Sequence, residues 1–547
     1  MRPAGRGKLE SLYFEYPEFA SVTVPELDGE RPIHPVAIVG AGPIGLTVAL
    51  TLAKYGIRSV LLESKNTFND GSRAICIARP SCHILERIGA WERFEERPLG
   101  WRYGSSYFAG REIYRLEMPH SAHEKFLPMY NLQQQYIEKH LWEAAAESDL
   151  IEIRWESEVT GVENEDDDAT LHVKTPLGAY KMAATYVLAA DGARSAMRSM
   201  LGLRLQGENF EGNYVIADVR MDHDYPTERR ALFAPESNPR GTVLIHKQPD
   251  DIWRIDYQLQ AGEDRSVAVE EATIRNRVGA ILRDIGHNGS WELEWWSIYT
   301  ANTLCLDEYK HGRVIFIGDS AHIVPIFGVR GLNNGLADAY NVGWKLSYVL
   351  NGDADASLLD TYSPERRGAT LDVFANASKS ARFMTPPTRG SSLVRDAVLS
   401  LALRHEFVRP FINPRQMEAY AYLDGQSDIV RRRDTEFAEG PRAGSVCPNV
   451  RLKDGSYFLD EIGPGFTGIL FADEPEAKTP LFTELDGLDP RFTALSVADE
   501  DVTRAFGAAP GAFYLLRPDL HIAGRWLRNE PNEIVHVMKC ALGKDLR

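Results

Sequence analysis

The sequence predicts an α/β chain, α+β overall, made of a parallel-sheet domain, an antiparallel sheet inserted into it and a separate C-terminal α/β domain. Three observations predict it. A glycine-rich turn joins a buried strand to an apolar helix within residues 36–55. Two later buried strands, ending near 190 and 317, also run into polar, glycine-containing loops. Between them, residues 210–300 alternate apolar and polar positions, as half-exposed antiparallel strands do.

Length and composition set the outer limits. The chain has 547 residues, enough for several domains, with 44% hydrophobic and 25% charged residues. A net charge of −17 argues against a nucleic-acid partner, which needs a basic face. The cysteines at 76, 82, 305, 447 and 540 form no CxxC pair and no zinc-spaced cluster. We therefore expect reduced thiols, no metal site and a cytoplasmic protein. Residues 1–35 lack the apolar core of a signal peptide, and no apolar run is long enough to span a membrane.

The first motif starts with the strand Val36-Ala37-Ile38-Val39. Gly40-Ala41-Gly42-Pro43-Ile44-Gly45 follows, then an apolar helix to Tyr55, then the strand Ser59-Val60-Leu61-Leu62 closed by Glu63. This is the order of a Rossmann-type dinucleotide site. Gly40 permits the tight turn, Gly42 lets backbone approach a pyrophosphate, and Gly45 lets helix and strand pack closely. The helix N-terminus offers free N–H groups to phosphate. Glu63 stands where an acid accepts ribose hydroxyls.

The second motif is Tyr186–Ala190 leading into Asp191-Gly192-Ala193-Arg194-Ser195. The third is Arg313–Ile317 leading into Gly318-Asp319-Ser320-Ala321-His322, then Pro325, Gly328, Arg330, Gly331, Leu332, Asn333 and a long helix. In this order the three motifs resemble the single-component flavoprotein aromatic hydroxylases, the family of the para-hydroxybenzoate, phenol and chlorophenol hydroxylases.

That resemblance implies a Rossmann-type FAD-binding domain (36–205 and 300–385), an inserted antiparallel substrate-binding sheet (100–128 and 206–299) and, after a helical linker (386–440), a thioredoxin-like domain (441–547). The cofactor would be FAD, with NADPH or NADH as co-substrate and O2 as oxidant. Gly40, Gly42, Gly45 and Glu63 would hold the ADP half, and Arg73 would lie near the pyrophosphate. Gln134 and Asp319 would meet the ribityl chain. Pro325, Gly328, Arg330, Gly331, Leu332 and Asn333 would follow the flavin's pyrimidine edge. Asp191 and Arg194 match a motif tied to both FAD and NAD(P)H. The single glycine-rich cradle implies that NAD(P)H docks transiently. The reaction implied is hydroxylation of a phenolic or related electron-rich aromatic through a flavin C4a-hydroperoxide.

The chain departs from the family in places. Ile326 follows Pro325, Phe327 precedes Gly328, and Ile75 or Cys76 stands where phenol hydroxylases carry an aspartate base. These changes affect the substrate side rather than the flavin. Polar candidates on the inserted sheet are Tyr107, Tyr214, His246, Arg254, Tyr257 and Tyr299. Alternation puts Arg254, Asp256 and Gln258 on one face and Ile255, Tyr257 and Leu259 on the other. We assign the pocket to the Tyr257 face, with His246 near it, and take His246 and Tyr257 as the candidate catalytic residues. His322 reads as structural.

Beyond residue 375 the pattern predicts helices over 376–384 and 391–408, an exposed charge run at 431–434, strands at 467–471 and 493–497, a hairpin over 513–526 and a closing helix. Without CxxC, the tail is expected to pack, cap or form a homodimer. Two rivals stay open: another flavoenzyme on this fold, such as a halogenase or reductase, and a non-catalytic flavin sensor. The halogenase WxWxIP segment is missing.

Overall fold

The computed structural model describes the chain except residues 261, 326–328, 387, 413–417, 424, 432–436, 474–478 and 545–547. Gly328 and most of the 431–434 charge run lie outside the described residues.

The first sheet has a parallel centre. Six of its eight strands run in the order Lys310–His311, Val314–Phe316, Gly178–Ala189, Ile33–Val39, Ser59–Leu62 and Ile151–Arg154. All but the first of these are joined in parallel. Their apolar side chains are buried on both faces, as crossover helices require. The register carries the functional consequence: Val39 lies beside both Leu62 and Ala189, and Ala189 lies beside Phe316. The loops after these strands, holding Gly40, Glu63, Asp191 and Asp319, therefore open along one edge, where doubly wound sheets bind ligands.

The second sheet runs His322–Ile323, Trp291–Cys305, Gln206–Met221, Ile252–Gln258, Thr242–Lys247, Arg229–Phe233, Tyr103–Phe108 and Arg111–Glu117. Its pairings are antiparallel, except that Arg229–Phe233 runs parallel to Tyr103–Phe108. One face is a dry core. Val215, Val243, Ile255 and Tyr257 pack on Ile274, Val278, Ile281 and Leu282 of the helix Glu271–Asp284. The other face looks toward the first domain and the linker helices. There Arg254 donates to the carbonyls of Ser72 and Arg73, and Tyr214 and Leu244 meet Met384, Leu399 and Ala402.

This corrects the assignment of the pocket to the Tyr257 face. Tyr257 is 1% exposed and lies under the helix, on the side away from the crevice. His246 is not near it, because His246 pairs with Arg254 and shares that residue's face. Tyr107 likewise lies on the helix side, packed against the same cluster.

The N-terminal residues are tied down. The Met1 ammonium donates to the Trp296 carbonyl at 2.6 Å, and Phe14 enters the main core. A single helix spans Tyr362–Met384, so the helix expected from 376 starts fourteen residues earlier. The next helix, Arg389–Ala402, stops short of 408. A 3₁₀ stretch with Pro410 inside it follows, since proline cannot continue an α-helix.

The C-terminal sheet has the order Thr493–Val497, Thr467–Phe471, Phe513–Leu516, Ile522–Trp526. The first pair is parallel and the other two are antiparallel. A dry ion network joins this unit to the first domain. Lys345 lies 2.7 Å from Glu365, Glu365 2.7 Å from Arg517, and Arg517 2.6 Å from Asp519. Each buried charge has a partner, which is the condition for tolerating it.

Candidate active site

The crevice at the strand ends is built from backbone shape. Gly40 has φ of +103°, and a Cβ there would lie 2.6 Å from the Ala190 carbonyl. A Cβ on Gly45 would lie 1.9 Å from the Gly40 oxygen. At Gly42 the nearest atom to a Cβ is 4.0 Å away, so this glycine faces open space. The contrast fits a cradle whose middle position is kept clear for a ligand at the N-terminus of the helix Pro43–Lys54. The Ala41 N–H donates to Glu63 Oε2 at 3.0 Å, which fixes the acid at the lip.

The other strand ends supply carboxylates. Asp191 accepts from the Met197 N–H at 3.0 Å with one oxygen, and its other oxygen has no partner among the described residues. Burial raises its pKa, and the hydrogen bonds from Ser195 and Met197 oppose that rise. Asp319 opens onto the crevice while protein surrounds it. Crowding raises its pKa, and His322, Arg73 and Arg198 pull the other way. Arg198 bonds the carbonyls of Ala193 and Ser320 at 2.7 and 2.9 Å, clamping the second and third motif loops together. Arg194 is exposed beside it.

Several expected contacts are spent inside the protein. Gln134 Oε1 accepts from the N–H groups of Arg73 and Ala74 at 3.2 and 3.1 Å, and its amide donates to Glu138 at 2.8 Å. It holds the segment that presents the exposed Arg73. Asn333 accepts from the Ala78 N–H and the Ser81 hydroxyl and donates to the carbonyls of Cys76 and Val329. It thereby pins the start of the helix Gly331–Leu350 to the strand Cys76–Ala78. Leu332 and Gly331 are half-buried there; Pro325 and Arg330 are buried. His322 is fully buried, 2.6 Å from Asp338.

Asp338 was not singled out from the sequence, and it organises this wall. It accepts from the Gly318 N–H at 3.2 Å and from Arg366 at 2.6 Å. Burial works to raise its pKa, but His322 and Arg366 outweigh it and hold the carboxyl below its ordinary range. A buried Asp and Arg inside amphipathic helices carry no signal in a single sequence.

Opposite the crevice lies the inner face of the second sheet. Asp218 and Arg254 form a buried bidentate pair, 2.9 Å on both arms, that anchors Arg254 against the Arg73 segment. Tyr299 donates to the Val324 carbonyl at 2.7 Å, and Tyr214 is bonded to Thr385. His246 meets Trp101 edge-to-face. Burial, then Arg229 and Arg254, push its pKa down to about 3, so its ring is neutral at physiological pH. Arg229 occupies this face too, because its neighbour Arg230 pairs with Ile245 of the other one. It makes no hydrogen bond or ion pair with the described residues.

A cavity of about 930 Å³ lies elsewhere, between the helices Arg79–Arg87 and Gly331–Leu350 and the C-terminal unit. Arg79 in its wall pairs with Glu124, Arg87 bonds Tyr340, and Arg366 bonds Asp338, so these cations are already engaged.

Comparison with known proteins decides the family. The family model described as "FAD binding domain" matches residues 34–377. The chain belongs to this family. It is an FAD-dependent monooxygenase of the single-component aromatic hydroxylase type, and the class implies NAD(P)H and O2 as co-substrates. A 3-(3-hydroxyphenyl)propionate/3-hydroxycinnamic acid hydroxylase of Mycolicibacterium smegmatis is 25% identical over 519 residues, covering 89% of this chain and 90% of the relative. A para-nitrophenol 4-monooxygenase of a Pseudomonas species is 28% identical over 356 residues, 64% of this chain and 86% of that one. Among solved structures, the flavin-dependent monooxygenase PieE, in complex with FAD and substrate, superposes with a TM-score of 0.76 at 22% identity, covering 94% of this chain and 100% of that one. Aklavinone-11 hydroxylase gives 0.76 at 20% identity, covering 94% and 99%. The parallel sheet and the antiparallel substrate sheet are the shared fold. No helix among the described residues of this family member is long and apolar enough to cross a membrane.

Proposed function

We propose that the enzyme hydroxylates a phenol that also carries a carboxylate, and that Arg229 receives that carboxylate. The observation carrying this reading is a half-buried guanidinium, with no partner among the described residues, on the sheet face that looks toward the crevice. A buried cation left unpaired is costly, and an incoming anion removes the cost. Burial lowers the pKa of Arg229, yet a guanidinium keeps its charge at neutral pH. The relatives that act on 3-(3-hydroxyphenyl)propionate support the choice of anion.

FAD, when bound, would pass reducing equivalents from NAD(P)H to O2. The chain supplies the rest. Gly40, Gly42, Gly45 and Glu63 hold the adenosine and pyrophosphate end; Asp319 and the start of the helix Gly331–Leu350 hold the flavin end. The inner face of the sheet would close the crevice over the bound group and exclude water. The strand order of the C-terminal unit, with its parallel first pair, supports reading it as a thioredoxin-like domain; it carries no CxxC, and Cys447 is buried, with its pKa raised by burial, which suits a packing role.

The test compares 3-(3-hydroxyphenyl)propionate with 3-ethylphenol, its neutral counterpart, in NAD(P)H oxidation by the wild type and R229M. The wild type should favour the carboxylate by roughly tenfold or more in kcat/KM, consistent with a charge-assisted contact. R229M should lose that preference and keep its FAD. Equal preference in both proteins contradicts the assignment.

A further inference from the structure

We propose that Asp256 takes the phenolic proton of the substrate. This rests on the reading of the enzyme as a phenol hydroxylase. Asp256 lies on the strand Ile252–Gln258, opposite Leu244 and Ile216, on the same face as Arg254 and His246. It is 4% exposed, and its Oδ1 has no hydrogen-bond partner among the described residues. His246 Nδ1, also buried, is likewise without one. Buried polar atoms in folded proteins are nearly always satisfied. Two orphans and Arg229, which has no partner among the described residues, lie together on one face turned toward the crevice, where a ligand with both donors and acceptors would complete them. A phenol bearing a carboxylate is such a ligand.

Elimination among the neighbours singles out Asp256. The Tyr214 hydroxyl is bonded to Thr385, and Tyr299 donates to Val324. Burial pushes the Cys76 thiol up to about 12, so it stays neutral. His246, held down to about 3, can accept a hydrogen bond but makes a poor base. Asp218 is committed to Arg254. The charged and titratable groups around Asp256 are Arg254 on its own strand, Asp218 and Tyr214 on the next, His246 and Arg229 on the other side, and Cys76 of the first domain. Burial raises the Asp256 carboxyl to about 7; Arg254 opposes this and Asp218 adds to it. A base titrating near neutrality suits proton abstraction at physiological pH.

In the step itself the substrate O–H bond breaks and an Asp256 O–H bond forms. The electron pair stays on the phenolate oxygen, which enriches the ring carbon that receives the oxygen atom. When the ring rearomatises, the proton displaced from that carbon leaves to water and Asp256 returns its own proton to the original oxygen. Arg254 favours the phenolate throughout, while Arg229 holds the carboxylate.

The test uses FAD-loaded wild type, D256N and D256E. p-Nitrophenol is bound without NAD(P)H, and its visible phenolate band is followed against pH. Hydroxylation of 3-(3-hydroxyphenyl)propionate is measured over the same range. The wild type should show an acid limb near pH 7 in kcat/KM and a phenolate band on binding at neutral pH. D256N should lose both and hydroxylate at least 100-fold more slowly, a typical loss for a general base. Its FAD content should not change, and D256E should restore part of the limb. D256N with the wild-type rate and limb overturns the proposal while leaving the hydroxylase reading intact. A wild type that oxidises NAD(P)H with no phenol-dependent product overturns that reading itself.

Discussion

The two walls of the active site treat polar groups in opposite ways. On the flavin wall Gln134, Asn333, Asp338 and Arg198 spend their hydrogen bonds on other protein groups. What is left open there is mainly backbone, the clear space over Gly42 and the first turn of the helix Gly331–Leu350, together with one oxygen of Asp191 and the exposed Asp319. On the sheet wall it is side chains that are left without partners among the described residues: Arg229, Nδ1 of His246 and Oδ1 of Asp256. The difference teaches how each ligand is read. On the proposed reading, a cofactor of fixed shape is met by a largely self-satisfied surface, whereas a small substrate is met by groups whose cost is removed only when it binds.

Substitutions can break this contrast from either side. The largest effect is expected on the flavin wall: G45V puts carbon where the Gly40 oxygen already sits, 1.9 Å from a Cβ. The variant should purify without FAD, measured as the flavin-to-protein absorbance ratio; near-equimolar FAD would show that the loop can move. The sheet wall should respond in stability. The folded Asp256 keeps its proton up to about pH 7, while the unfolded residue loses it from its ordinary value of 3.8. Its contribution to stability is therefore greatest below that value and is lost as pH rises toward 7. D256N removes this loss, so it should melt above wild type by a few degrees at pH 8 and by about nothing at pH 4, in thermal scans at both. The smallest effect is expected from Y257F. Tyr257 lies in the core beneath the helix Glu271–Asp284, so kcat/KM should change less than about twofold. A large loss in turnover would return the pocket to the face assigned from sequence.

The strand–turn–helix geometry of the flavin wall was legible because it is written in backbone requirements. Gly40, Gly45 and Glu63 lie within one βαβ unit, and the positions of the strand ends follow from strand length. The sheet wall was legible only in part. Alternation separates Arg254 and Asp256 from Ile255 and Tyr257, but it does not say which face a distant helix covers. The helix Glu271–Asp284 carries the apolar stripe Ile274, Val278, Ile281 and Leu282 that fills the Tyr257 side, and that pairing became visible only in the fold. Arg229 escaped notice because an arginine at a strand start reads as solvated; that it has no partner among the described residues is a property of three dimensions.

The measurement that bears most directly on the central claim is oxygen transfer itself. FAD-loaded enzyme is given NAD(P)H, isotopically labelled O2 and 3-(3-hydroxyphenyl)propionate, and the product is weighed. The account predicts a dihydroxylated ring with one labelled oxygen and one NAD(P)H consumed per product. NAD(P)H oxidation that yields only labelled peroxide, across carboxylated and neutral phenols alike, would contradict it.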